Sequence, residues 1–348
     1  MRVAFVSLFT PEHGTTPARA RTRRVARGLA ERGHDVIWLC ARWWGGDVER
    51  FESDGFTYRA VVPDPSPTAF VARLPTALRR ADPAVVHAVN SPPTPTLAAT
   101  VARRLRGPPV LVDWWRDHPA DSRRGYRLLA RDADAITTPS RTTKTRVREH
   151  GATGDAVRVV PESIDTELIA DAAIDDRFDA VYSRRLDRHA NVETFLLALA
   201  EIRGRDWTAA VIGDGPERER IESTARDLRI ADRVEFLGNL PLDERVPIFK
   251  GTHAFAQTAT WETFASELLL ALACGCVGLV EYQADSSAHE LVEGRTRGRL
   301  VTSPAELADE LVAVGELDRR TTEPEFDSYD HDAVLDRYVD LYTELAGK

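Results

Sequence analysis

Short apolar runs alternate along this chain with longer stretches that carry apolar residues at helical spacing. Arg2–Leu8 (RVAFVSL) is continuously apolar, as a central parallel strand buried on both faces must be. A loop with Pro11, Gly14, Thr15 and Thr16 follows, then a helix to about Arg32, then a second strand at Asp35–Cys40. Further strands are expected at Thr57–Val62, Ala84–His87, Val110–Asp113, Ala135–Thr137 and Val157–Pro161. Helices are expected between them at Ala69–Arg80, Pro95–Arg106, Ser122–Arg131 and Arg141–His150. Residues 162–178 are polar and acidic and read as a linker.

The alternation then restarts. Strands are expected at Phe178–Tyr182, Trp207–Ile212, Arg233–Leu237, Ala254–Gln257 and Val277–Val280. The intervening helices fall at Val192–Ile202, Glu217–Leu228, Asp243–Phe249 and Ser266–Ala273, with later ones at Ala305–Val314 and Asp332–Leu345. Two α/β halves joined once predict two facing Rossmann-like domains with a cleft between them. The expected division is residues 1–165 and 166–324, with a C-terminal helix in about 325–348 packing back on the first domain.

The second half turns on one stretch, Gln257–Gly278 (QTATWETFASELLLALACGCVG). It passes the carboxylate of Glu262 and becomes a helix too apolar for a surface. The unpaired N–H groups at that helix start, with the helix dipole behind them, make an anion site. A carboxylate beside an anion site suits a ligand carrying both phosphate and hydroxyl groups.

Composition narrows the partners. The 348 residues are 43% apolar and carry a net charge of −9. Such acidity argues against nonspecific nucleic-acid binding. Lys144, Lys250 and Lys348 are the only lysines. That arginine bias fits either a salt-adapted cytoplasm or a high-GC genome. Cys40, Cys274 and Cys276 lie in apolar contexts and read as core residues of a reducing compartment. No signal peptide and no spanning apolar run are read, which points to a cytoplasmic protein.

Strand ends in open α/β sheets face the ligand. His87 follows one such strand; Asp117 and His118 follow another and are the better site candidates. The first helix carries Arg19, Arg21, Arg23, Arg24 and Arg27. This cluster is either a solvated face or a basic patch for anionic lipid at the inner face of the membrane.

Six stretches in order resemble the retaining glycosyltransferases of family 4, which have the GT-B fold. They are LAERGHDV (Leu29–Val36), DAITTPS (Asp134–Ser140), RRLDRHANVE (Arg184–Glu193), VIGDGPER with RVEFLGNL (Val211–Leu240), WETF…ALACG (Trp261–Gly275) and AHELVEG (Ala288–Gly294). The resemblance implies a nucleoside-diphosphate sugar as donor substrate; the sequence shows no metal-ligand cluster, and neither a metal nor a further cofactor is expected. It places Arg185 on the donor diphosphate, Gly14 and Gly213 in loops approaching the donor, and Glu262 by the donor sugar. The amides of Phe264, Ala265 and Ser266 fall on the phosphate. Asp117 or His118 would contact the sugar or acceptor.

Three positions depart from the family pattern. Its second diphosphate cation, a lysine, falls on Ala190. The loss of one charge-assisted contact costs roughly 1.5–3 kcal/mol unless replaced, and Arg184 is the first candidate. The family's ribose-binding glutamate falls on Leu270. Glu267, about 4.5 Å back along the same helical face, either takes its place or pairs locally. The family glycine after Phe264 is Ala265.

The Glu262–Glu267 arrangement beside AHELVEG also resembles archaeal hexosyltransferases of lipid-linked N-glycan assembly. The expected activity is hexose transfer to a glycan or a polyprenyl- or dolichyl-phosphate-linked acceptor. The alternatives are a carbohydrate- or nucleotide-binding protein with a decayed site, and a sugar-nucleotide epimerase.

Overall fold

The computed structural model describes residues 1–14, 16–90, 93–104, 107–115 and 123–347. Two compact units emerge, Met1–Glu162 with Asp332–Lys348, and Ser163–His331. The first runs β1 (Arg2–Val6), α1 (Pro17–Glu31), β2 (Asp35–Ala41), β3 (Arg50–Ser53), β4 (Phe56–Val62), α2 (Pro67–Ala81), β5 (Val85–Val89), α3 (Pro93–Arg104), β6 (Val110–Asp113), α4 (Arg123–Asp132), β7 (Ala135–Thr138), α5 (Arg141–Glu149) and β8 (Val157–Val159). Among the described residues these strands form one sheet in the order β3-β4-β2-β1-β5-β6-β7-β8.

Local chemistry sets the element starts. Thr16, Ser66 and Ser140 each accept a backbone N–H from three residues on, capping α1, α2 and α5. Proline opens α1 and α2, where its missing N–H costs nothing. The pattern reading passed over β3, which pairs antiparallel with β4. Its short RFES segment is half charged, but the Asp54-Gly55 turn, with φ of 56° and 79°, carries the hairpin signal.

The second unit contains α6 (Thr166–Asp171), β9 (Ala180–Ser183), α7 (Val192–Glu201), β10 (Ala209–Ile212), α8 (Arg218–Asp227), β11 (Val234–Gly238), α9 (Leu242–Gly251), β12 (Ala254–Gln257), α10 (Ser266–Ala273), β13 (Val277–Glu281), β14 (Gly298–Val301) and α11 (Pro304–Ala313). Its described strands are all parallel, in the order β11-β10-β9-β12-β13-β14. The stretch read as a linker contains α6, capped by the Asp165 carboxylate accepting from the Leu168 N–H. β14 also went unread: its short GRLV segment has only two apolar residues side by side, of which Val301 is buried and Leu300 exposed.

The last helix, α12 (His331–Ala346), packs in the first unit. Val334, Leu335, Tyr338 and Tyr342 join a core with Val3, Phe5, Leu29 and Trp38. A buried polar network runs through that core. Arg21 is 1% exposed. It donates to the carbonyls of Val160 (2.8 Å) and Pro161 (2.5 Å) and to Tyr338 Oη (2.6 Å). Its Nε lies 3.5 Å from Asp113, which also accepts from Thr137 Oγ1 and Tyr338 Oη. Burial alone would raise the Asp113 carboxyl, but the Arg21 charge beside it holds it down at about 2.

This network corrects two expectations. The arginines of α1 are not a free basic patch. Arg21 is core, Arg23 pairs with Asp54 and Glu12, Arg24 with Glu162, and Arg27 with Glu31. Arg19 donates to the Gly14 carbonyl at 2.6 Å. His87 is fully buried, stacks on Phe5 and bonds Tyr342 Oη at 2.6 Å. It is a packing residue.

Candidate donor site

The second unit gathers its polar side chains at the carboxyl ends of its parallel strands. β9 ends at Ser183 and releases Arg184 and Arg185; β10 ends at Ile212 and releases Gly213 and Asp214; β11 leads into Asn239 and Leu240. These residues, with Arg245 of α9 and Glu267 of α10, line one pocket. Strand order reverses direction at β9, with β10 on one side and β12 on the other. Open α/β sheets place ligands at such a switch point.

Gly213 is dictated by close packing of loops. Its φ is +130°, and a Cβ there would lie 2.0 Å from the Arg184 carbonyl oxygen. Its N–H donates to the Gly238 carbonyl at 2.7 Å, tying together the loops that follow β10 and β11. No L-side chain fits this position without moving the backbone that carries Arg184 and Arg185.

Arg184 spans the switch point. Its Nε donates to Glu262 at 2.9 Å, Nη1 to Asp187 at 2.7 Å and Nη2 to the Trp261 carbonyl at 3.2 Å. These bonds occupy the guanidinium, so it is not the free second cation expected in place of the family lysine. Its visible work is to hold Glu262. The Glu262 backbone is fixed as well, donating to the Asp285 carbonyl at 3.2 Å and accepting from the Ser287 N–H at 2.9 Å.

One guanidinium thus serves two carboxylates, and they respond differently. Burial pushes the Glu262 carboxyl up, and Arg184 only partly offsets it. Asp187 is also penalised by burial, but the Arg184 hydrogen bond and charge carry its carboxyl below the usual range.

Arg185 is exposed, lines the pocket and has no ion-pair partner among the described residues. Glu267 accepts from Ser183 Oγ at 3.1 Å and pairs with Arg245. Of the three expected amides, Ser266 N–H already donates to the Phe264 carbonyl at 3.1 Å. Ala265, the N-cap of α10, gives no side-chain cap, and Phe264 and Ala265 are buried. Ala190 and Leu270, which stand where the family has charged residues, are buried and apolar. Gly14 has a φ of +132° and sits in the first unit. Asp117 and His118 lie outside the described residues.

Sequence reasoning missed Arg245. Its position inside the predicted helix Asp243–Phe249 gave it no distinguishing mark. The only available signal was a lone arginine one turn from the Asn239-Leu240 loop. Among the described residues no group of His, Cys, Asp and Glu could hold a metal ion. Nor is any described helix long and apolar enough to cross a membrane.

Comparison with known proteins bears on the fold and the family. Residues 18–162 match the glycosyl transferase 4-like domain, and residues 165–321 match the glycosyl transferases group 1 domain. A GDP-mannose-dependent alpha-(1-6)-phosphatidylinositol monomannoside mannosyltransferase of Mycolicibacterium smegmatis is 30% identical over 35% of this chain and 36% of its own length. A 2-deoxystreptamine glucosyltransferase of Streptomyces kanamyceticus is 26% identical over 62% of this chain and 67% of its own. The chain therefore spans about a third of the first relative and two thirds of the second. Anabaena Alr3699/HepE, solved in complex with UDP, superposes with a TM-score of 0.76 at 17% identity, covering 99% of this chain and 100% of that one. With the two domain models matching in succession along both units, the chain belongs to the family 4, group 1 glycosyltransferases of GT-B fold.

Proposed function

We infer that the protein is a retaining glycosyltransferase that moves a hexose from a nucleoside-diphosphate sugar to a glycan or lipid-linked acceptor. The observation carrying this reading is the switch-point pocket, where Arg185, without an ion-pair partner among the described residues, and the carboxylate of Glu267 line the same space. A cation and a carboxylate side by side suit a ligand with a diphosphate at one end and ribose hydroxyls at the other. The names of the relatives specify mannosyl and glucosyl transfer, which supports a hexose. One of them is named for a phosphatidylinositol monomannoside, which supports a lipid-linked acceptor.

Chemistry of this kind needs leaving-group stabilisation. Arg185 and the amides of Phe264 and Ala265 take the charge that develops on the departing diphosphate. Glu262, fixed by Arg184, orients the donor sugar. Glu267 receives the ribose. Asp117 or His118 meets the sugar or acceptor.

The test is turnover with a panel of nucleotide sugars. Arg185→Ala and Glu262→Ala should each reduce turnover at least a hundredfold, the loss typical of removing a transition-state donor, while circular dichroism and the unfolding midpoint stay close to wild type. Arg185 is exposed, and loss of Glu262 leaves Arg184 still paired with Asp187. Wild-type rates in either variant remove that residue from the mechanism. Nucleotide binding with no turnover on any acceptor would favour a decayed site.

A further inference from the structure

Arg245 is a charged side chain of the pocket to which the family resemblance assigns no role. Its guanidinium pairs with Glu267, and its buried Nε has no partner among the described residues. Glu267 is held at both oxygens, Oε1 by Arg245 and Oε2 by Ser183 Oγ at 3.1 Å. A carboxylate offers about four acceptor sites, so two remain for a ligand. Both side chains are about one-quarter exposed, with Arg245 at 22% and Glu267 at 26%. The pair therefore forms part of the pocket wall and is not sealed in the core.

The charges explain why such a pair belongs there. A lone carboxylate facing a pocket that accepts a diphosphate repels its own ligand. With Arg245 beside it, Glu267 contributes acceptor atoms without net negative charge. The carboxylate plane is also fixed before the ligand arrives, so little ordering cost falls on binding.

We propose that Arg245 is a positioning and specificity residue for the donor: it neutralises Glu267 and fixes its carboxylate so that the free lone pairs accept the ribose hydroxyls of a nucleoside diphosphate. This rests on the donor-site reading given above. Arg245 acts through Glu267, and the ligand class it selects is ribonucleotide over deoxyribonucleotide.

Calorimetric titration of the full chain with uridine and guanosine diphosphates and their 2′-deoxy and 3′-deoxy counterparts tests this. Wild type should favour the ribonucleotide tenfold or more, the worth of one hydrogen bond to a charged group. Arg245→Met should weaken ribonucleotide binding at least tenfold and bring the ribo/deoxy ratio close to one. Arg245→Lys should restore part of the ratio. The double variant Arg245→Met with Glu267→Gln should bind the diphosphate more tightly than Arg245→Met alone, because the stranded charge is gone.

An unchanged ribo/deoxy ratio in Arg245→Met overturns the proposal, whether affinity falls, which would place Arg245 on the phosphates, or holds, which would place it outside the site. The donor-site reading fails separately. If wild type binds neither diphosphate, or Arg185→Ala leaves binding unchanged, the pocket is not the nucleotide site and both ideas fall together.

Discussion

Glu262 shows how one residue's surroundings reach into the kinetics. Its carboxyl is pushed up by burial, with Arg184 opposing and Asp187 adding like-charge repulsion. If the ionised form orients the donor sugar, turnover should fall on the acid side with a midpoint above the ordinary glutamate value of 4.5. The same shift has a consequence for stability. Between the unfolded and the higher folded pKa the native state binds the extra proton, so this group's contribution to stability declines as pH rises through that window. Removing the repulsion by Asp187→Asn should move the acid limb to lower pH. A rate profile of wild type and this variant measures the displacement, and an acid limb that stays put excludes Glu262 as its source. Gly213 shows a different constraint at the same scale. It contributes no functional group, yet the Arg184 carbonyl lies where a Cβ would be.

At the scale of elements, the regular parts were legible because burial writes itself into apolar periodicity. β6, β12 and α10 fall where the pattern places them. The pattern does not register elements that bury little. β3 and β14 are edge strands, and α6 is a short capped turn of helix. Nor does it distinguish a surface arginine from a buried one. Arg21 belongs to a spacing that resembles a cationic stripe, but its carbonyl partners follow β8, its tyrosine partner comes from α12 and its carboxylate partner from β6, all far away in sequence. The candidate site divides the same way. Arg185, Glu262 and Glu267 sit in motifs and could be named, whereas Arg245 is defined only by tertiary placement. Replacing Arg21 with Met should leave the buried Asp113 charge uncompensated. A loss of about 3–5 kcal/mol is expected in urea unfolding, together with loosening of α12, which shares the network through Tyr338. A change under 1 kcal/mol would show that the network carries little of the first unit's stability.

For the molecule as a whole, two α/β units meet two successive glycosyltransferase domain models. In the second unit the pocket lies where a doubly wound sheet reverses direction. The departures from the family pattern sit together in that unit. The positions that the resemblance gives to a lysine and a second glutamate hold the buried Ala190 and Leu270, while Arg245 and Glu267 form a pair on the pocket wall. A crystal soaked with a nucleoside diphosphate measures this directly. The account predicts phosphate oxygens within hydrogen-bond reach of the Arg185 guanidinium and ribose hydroxyls on the Glu267 carboxylate. A nucleotide bound away from both side chains contradicts it.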